Sequence, residues 1–171
     1  MSFGLVQLGQ SATSLGEADL AYEVVDMLAN IYWWPNLVST HNPDSIFNVD
    51  ICGGMPAVII KMLVTAEPGK LDLLPALPRQ WSSGRIEGVL CRGQIELKSL
   101  SWTGNRIEVT LQSGVKQPVS IAVPGGIRAF EAREGTVRIL MTIKKDGSLP
   151  VVLPAGEPVT LSITAQQNLT E

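Results

Sequence analysis

The hydrophobic pattern of this chain changes period once, near residue 70, and that change limits the folds open to it. Before it, apolar residues recur at three- and four-residue steps; after Trp81 they alternate with polar ones. The first spacing turns one side of a helix toward a core, the second one face of a strand. Helices followed by strands, unmixed, predict an α+β chain built of segregated units.

In the helical part, Ala21, Val24, Val25, Leu28 and Ile31 make one apolar stripe, with Glu17, Asp19, Glu23 and Asp26 on other faces. Ser14-Leu15-Gly16-Glu17 has the spacing of a capping box at its start, and Pro35 ends it. Residues 3–15 read as an earlier helix closing at Gly16. A third helix is predicted to begin at Pro56, a residue suited to a first turn, and to stop before Pro68-Gly69. Lys61 is the only charge between Ala57 and Val64, so this helix is expected to be buried on most sides.

Beyond Trp81, residues 85–90, 94–100 and 106–111 alternate apolar with polar, punctuated by Gly93, Thr103-Gly104-Asn105 and Ser113-Gly114. Residues 119–123, 127–132, 137–144, 151–153 and 159–164 supply further strands. Short strands at this spacing predict an antiparallel β-sandwich. The expected division is helices over 1–68, a Pro-rich connector over 69–81 and the sandwich over 82–171.

With 45% hydrophobic and 17% charged residues among 171, there is ample material for a core. A net charge of −3 without a Lys/Arg cluster argues against nucleic acid as a partner. No apolar run approaches the ~20 residues that span a bilayer, so no membrane partner is expected. Cys52 and Cys91 belong to no CxxC or Cys/His set; two buried free thiols are expected, no metal site and no cofactor. A disulfide between them stays open. Three helices, one apolar nearly all round, need more partners than this chain supplies, so residues 1–68 are expected to finish a larger helical domain.

Candidate chemistry gathers between Thr40 and Asp50. His41, the single histidine, can donate to and accept from sugar hydroxyls, or simply stabilise a turn. Asp50 precedes an apolar helix, where an ionised carboxylate loses solvation unless a loop, a helix N-terminus or a ligand offsets it. It reads either as a capping carboxylate or as a group held for acid–base work. Asn42, Asp44 and Asn48 are ordinary turn formers beside them. Trp33, Trp34, Trp81 and Trp102 suit core packing at least as well as stacking on a pyranose. A carbohydrate-binding sandwich using Trp81 or Trp102, or a purely structural one, is the alternative function.

These residues carry a resemblance. Phe47-Asn48-Val49-Asp50-Ile51-Cys52-Gly53-Gly54, the helix bearing Met62-Leu63, the Leu73-Leu74-Pro75-Ala76-Leu77-Pro78-Arg79-Gln80-Trp81 connector and Gly88-Val89-Leu90-Cys91-Arg92-Gly93 are similar to the C-terminal part of the α-L-fucosidases of glycoside hydrolase family 95. The resemblance implies that residues 1–68 are the terminal helices of an (α/α)6-barrel catalytic domain and 82–171 its C-terminal β-sandwich. It implies an inverting glycosidase in which Asp50 activates water and His41 contacts the sugar. The general-acid Glu and paired asparagines would come from the missing N-terminal part of the barrel, leaving this fragment inactive alone. A glycan substrate and a periplasmic or extracellular parent follow from the same resemblance. Ile51-Cys52 stands where the family has Gly-Asn, and Asn48 where it has Gln, which leaves the sugar open.

Overall fold

The computed structural model describes residues 1–134, 137–139 and 142–169, and they form two compact units. The first comprises Met1–Leu63 with Pro75–Pro78, the second Val64–Leu74 with Arg79 onward.

The first unit holds α1 (Ser2–Ser14), α2 (Ala18–Ile31), the hairpin β1 (Thr40–Asn42) and β2 (Ser45–Phe47), and α3 (Asp50–Leu63). Helix α1 ends as its glycine predicts. Gly16 takes φ 75, its N–H bonds to the Thr13 carbonyl at 3.1 Å, and the Glu17 N–H reaches back to Ala12 at 2.9 Å, which is a Schellman closure. The predicted capping box does not form: Glu17 caps α2 without a side-chain bond. Ser14 belongs to α1 instead, where its hydroxyl donates to the Gln10 carbonyl and accepts from Lys61 Nζ at 2.6 Å. The same ammonium also donates to the Gln10 carbonyl at 3.0 Å, placing a positive charge near the helix C-terminus.

The stripe of α2 buries Ala21, Val24, Val25 and Leu28 but continues to Tyr32, leaving Ile31 41% exposed. Tyr32 is four residues beyond Leu28 and so stays on the same face. Val24, Leu28, Tyr32 and Ile51 form a core against which Leu5, Val6, Trp33 and Met55 pack. Helix α3 departs from expectation twice. It starts at Asp50 rather than Pro56, so Pro56 sits inside the helix, where it offers no N–H to the Cys52 carbonyl. It is also not buried on most sides: Ile51, Val58, Met62 and Leu63 face the core, while Asp50, Cys52, Gly53, Pro56, Ala57 and Ile60 are exposed, because α1 and α2 cover one side only.

The second unit contains β3 (Val64–Glu67), β4 (Lys70–Leu73), β5 (Ser83–Cys91), β6 (Ile95–Thr103), β7 (Arg106–Ser113), β8 (Gln117–Ala122), β9 (Ile127–Glu134), β10 (Val137–Ile139), β11 (Leu149–Leu153) and β12 (Pro158–Ala165). They make a six-stranded sheet in the order β10-β9-β12-β7-β6-β5 and a four-stranded sheet in the order β11-β8-β4-β3. The first is antiparallel throughout. In the second, β4 runs parallel to β8, pairing Leu71 with Ile121, so the sandwich is not purely antiparallel. The β3–β4 hairpin falls where the end of the third helix and the start of the connector were expected. Val64, Leu71 and Leu73 are buried and Thr65 and Asp72 are not, so the segment alternates as a strand does. Of the strand expected over 137–144, residues 140 and 141 lie outside the described residues and 142–144 are not strand.

Alternation fixes the core of this unit. Ile107, Val109 and Leu111 on β7 and Val159, Leu161 and Ile163 on β12 are at most 2% exposed, and Val119, Ile121, Leu149, Val151 and Leu153 bury the matching face of the other sheet. Strand β7 touches β11, and β3 touches β5, so the two faces close on one core.

Candidate functional site

The β1–β2 hairpin and the first turn of α3 bring the candidate residues together within the first unit. Asn42 pairs with Ser45, so Pro43 and Asp44 form a two-residue turn. Asp44 at φ 54 follows a proline, the pattern of a type II turn, and an Asx side chain tolerates that conformation. Ile46, β-branched and 62% exposed, takes φ 58. Such a backbone costs about 1–3 kcal/mol and persists only where its surroundings hold it.

Asn48 is the hub. Its N–H donates to the Ser39 carbonyl at 3.0 Å, and its own carbonyl accepts from the Ser39 hydroxyl in a short bond. Its side-chain Oδ1 accepts the Asp50 N–H at 2.6 Å, and Nδ2 lies 3.0 Å from His41 Nδ1. The contact to Asp50 is an Asx turn that satisfies an orphan donor at the start of α3. Ser39 Oγ also lies 3.1 Å from Cys52 Sγ, which joins the hairpin to the second residue past Asp50. Ser39 and Asn48 are buried, at 0% and 7% exposure, whereas His41 is half-buried and Asp50 is exposed.

Two expectations change here. Asp50 does not precede the helix; it lies in its first turn, where a carboxylate also benefits from the positive end of the helix dipole. It is exposed in this chain, so the solvation cost that made it conspicuous is not incurred. Cys52 is exposed rather than buried, Cys91 is half-buried, and both are free thiols. Sequence reasoning passed over Ser39 entirely and gave Asn48 no special weight. The signal was present as Asn48-Val49-Asp50, an Asx residue two positions before a helix amide.

Trp102 is no sugar platform. It is 5% exposed, and its indole N–H donates to the Trp81 carbonyl at 2.8 Å. A groove of about 520 Å³ in the six-stranded sheet is lined by Trp102 together with Arg106, Glu108, Phe130, Glu131 and Ser162, but that indole offers it no open face. Among the described residues, no three His, Cys, Asp or Glu side chains gather as a metal site. Nor is any described helix long and apolar enough to cross a membrane.

Residues 66–159 match the profile described as glycoside hydrolase family 95, C-terminal domain. The chain belongs to glycoside hydrolase family 95. It is 33% identical over 115 residues to Alpha-L-fucosidase 2 of Arabidopsis thaliana, an alignment covering 66% of this chain and 13% of that protein. This family 95 chain therefore corresponds to the C-terminal part of a much longer relative. The matched profile spans most of the sheet unit, and His41 and Asp50 lie upstream of it. Among solved structures, the chain is similar to a family 127 β-L-arabinofuranosidase from Geobacillus stearothermophilus T6, with TM-score 0.40, 14% identity, and coverage of 93% of this chain and 30% of that one. A family 30 subfamily 8 xylanase from Clostridium acetobutylicum gives TM-score 0.39 and 12% identity over 92% of this chain and 39% of its own. Both likenesses are too loose to place a residue or an activity.

Proposed function

We propose that this chain is the C-terminal part of an inverting, α-L-fucosidase-like glycoside hydrolase that cleaves terminal sugars from extracellular glycans. Residues 1–63 are the closing helices of an (α/α)6 barrel whose other helices precede them. Asp50 is the carboxylate that activates water, His41 contacts the sugar, and a carboxylic acid from the preceding barrel protonates the leaving group. Inverting chemistry suits such a division, because acid and base stand ~6.5–9.5 Å apart to leave room for water.

The observation that carries this reading is the linkage at Asn48: one buried side chain joins the accessible imidazole of His41 to the helix turn bearing the exposed Asp50. A capping carboxylate alone would need no histidine tied to it. The exposed apolar residues Phe3, Leu8, Met27, Ile31, Phe47, Val49 and Ile60 support the barrel part of the proposal, since further helices would cover them.

The test is hydrolysis of an aryl α-L-fucoside by this chain alone and by the chain joined to its preceding barrel. Only the longer protein is expected to turn over. Asp50→Asn in it should lower kcat by about 10²–10⁴-fold with little change in folding. Turnover by the chain alone, or an unchanged rate in the variant, overturns the proposal.

A further inference from the structure

We propose that Asn48 is a positioning residue that holds His41 in its Nε2–H tautomer, so that the imidazole presents one fixed donor to a ligand. The inference rests on the reading of His41 as a ligand-contacting group, but the hydrogen-bond logic beneath it does not.

A backbone N–H can only donate, so the Asn48 atom 2.6 Å from the Asp50 amide is the carbonyl oxygen. The other end of the side-chain amide is then the NH2 group, which also only donates, and it sits 3.0 Å from His41 Nδ1. That nitrogen must offer its lone pair, and the proton of the neutral ring resides on Nε2. Turning the amide over is blocked at Asp50, because it would set NH2 against that backbone N–H, donor against donor. The Asn48 backbone is pinned at both its N–H and its carbonyl to buried Ser39, so the residue has little room to move away.

His41 Nε2 is left pointing at the Met1 thioether, 3.0 Å away on the exposed side. Sulfur is a weak acceptor, readily displaced by a better one. The fixed Nε2–H therefore suits an oxygen acceptor such as a sugar hydroxyl, whose own proton then turns to another partner. An aspartate at position 48 would also accept from the Asp50 amide but would require a proton on His41 Nδ1, reversing the donor offered outward.

Because the chain has one histidine, its imidazole nitrogens give one set of ¹⁵N signals. Long-range ¹H–¹⁵N spectra of the neutral ring should show Nε2 protonated almost exclusively, with through-bond coupling from an Asn48 side-chain N–H to Nδ1. Asn48→Ala should return the ring to the tautomer mixture of free histidine, and Asn48→Asp should shift it toward Nδ1–H. A wild-type ring mainly protonated at Nδ1, absence of the coupling, or a tautomer ratio unchanged in Asn48→Ala overturns the proposal. The wild-type measurements decide even where a variant does not fold. Loss of the proposed glycosidase reading, by contrast, would appear in the fucoside hydrolysis assays and would leave these spectra as they are.

Discussion

The indole of Trp102 occupies the space that a side chain on Gly84 would need. A Cβ built on Gly84 falls against Trp102 Cζ2 and 2.6 Å from Cη2. Gly84 and Trp102 are paired across β5 and β6, and the ring is further held by its N–H bond to the Trp81 carbonyl. The connector's final residue is thus tied to the sheet by the side chain that carbohydrate binding through Trp102 would have required to be free.

Gly84→Ala should therefore destabilise the sheet unit by about 1–3 kcal/mol, since a rigid indole held at both ring and N–H yields poorly to an added methyl. Urea unfolding followed by tryptophan emission measures it. An unchanged midpoint would mean that the Trp102 ring is not held where the structure places it.

Much of this fold was legible because the apolar pattern dominates it. Seven of the eight strands expected after Trp81 are present, the one expected over 137–144 is strand over Val137–Ile139, and Gly16 closes α1 as a positive-φ glycine does. The β3–β4 hairpin was hidden because Val64-Thr65-Ala66-Glu67 continues an apolar helical run, and pairing of β4 with β8, some fifty residues away, overrides local propensity. Pro56 misled for a related reason. It is a strong first-turn residue, yet the cap supplied by Asn48 starts the helix six residues earlier.

The two cysteines should separate by reactivity. Burial pushes the Cys91 thiol up from its ordinary value, partly opposed by a backbone hydrogen bond from Leu97. Only the thiolate attacks an alkylating agent, so less of Cys91 is reactive at neutral pH and its rate should keep rising beyond ~8.5, the usual thiol midpoint. Cys52 is exposed and should be modified first. Peptide mass spectrometry after brief iodoacetamide treatment at pH 7 reads the order. Equal labelling of both, or Cys91 first, would contradict the burial seen at β5.

The candidate site was legible in its residue types and not in its connections. His41 and Asp50 stand out as a lone histidine and a helix-adjacent acid. What joins them is a short polar side chain and a serine, types too common in loops to signal anything by themselves. Only the hairpin, which returns Asn48 beside Ser39 and His41, gives them a role.

The crossing of α1 and α3 makes the last prediction. A Cβ on Gly54 would sit 2.8 Å from both Val6 methyl groups, so these helices approach where Gly54 has no side chain. Alanine there gains up to about 1 kcal/mol in helix propensity but forces Val6 aside, at about 1–3 kcal/mol. Gly54→Ala should thus be neutral to destabilising in the native background. In a Val6→Ala background the obstruction is gone and the same change should stabilise, giving a coupling of about 0.5–3 kcal/mol. Thermal or urea unfolding of the four proteins in the cycle measures it. Equal effects of Gly54→Ala in both backgrounds would show that this helix contact is not made, and with it would go the packing that sets α3, and Asp50 at its start, against the rest of the helical unit.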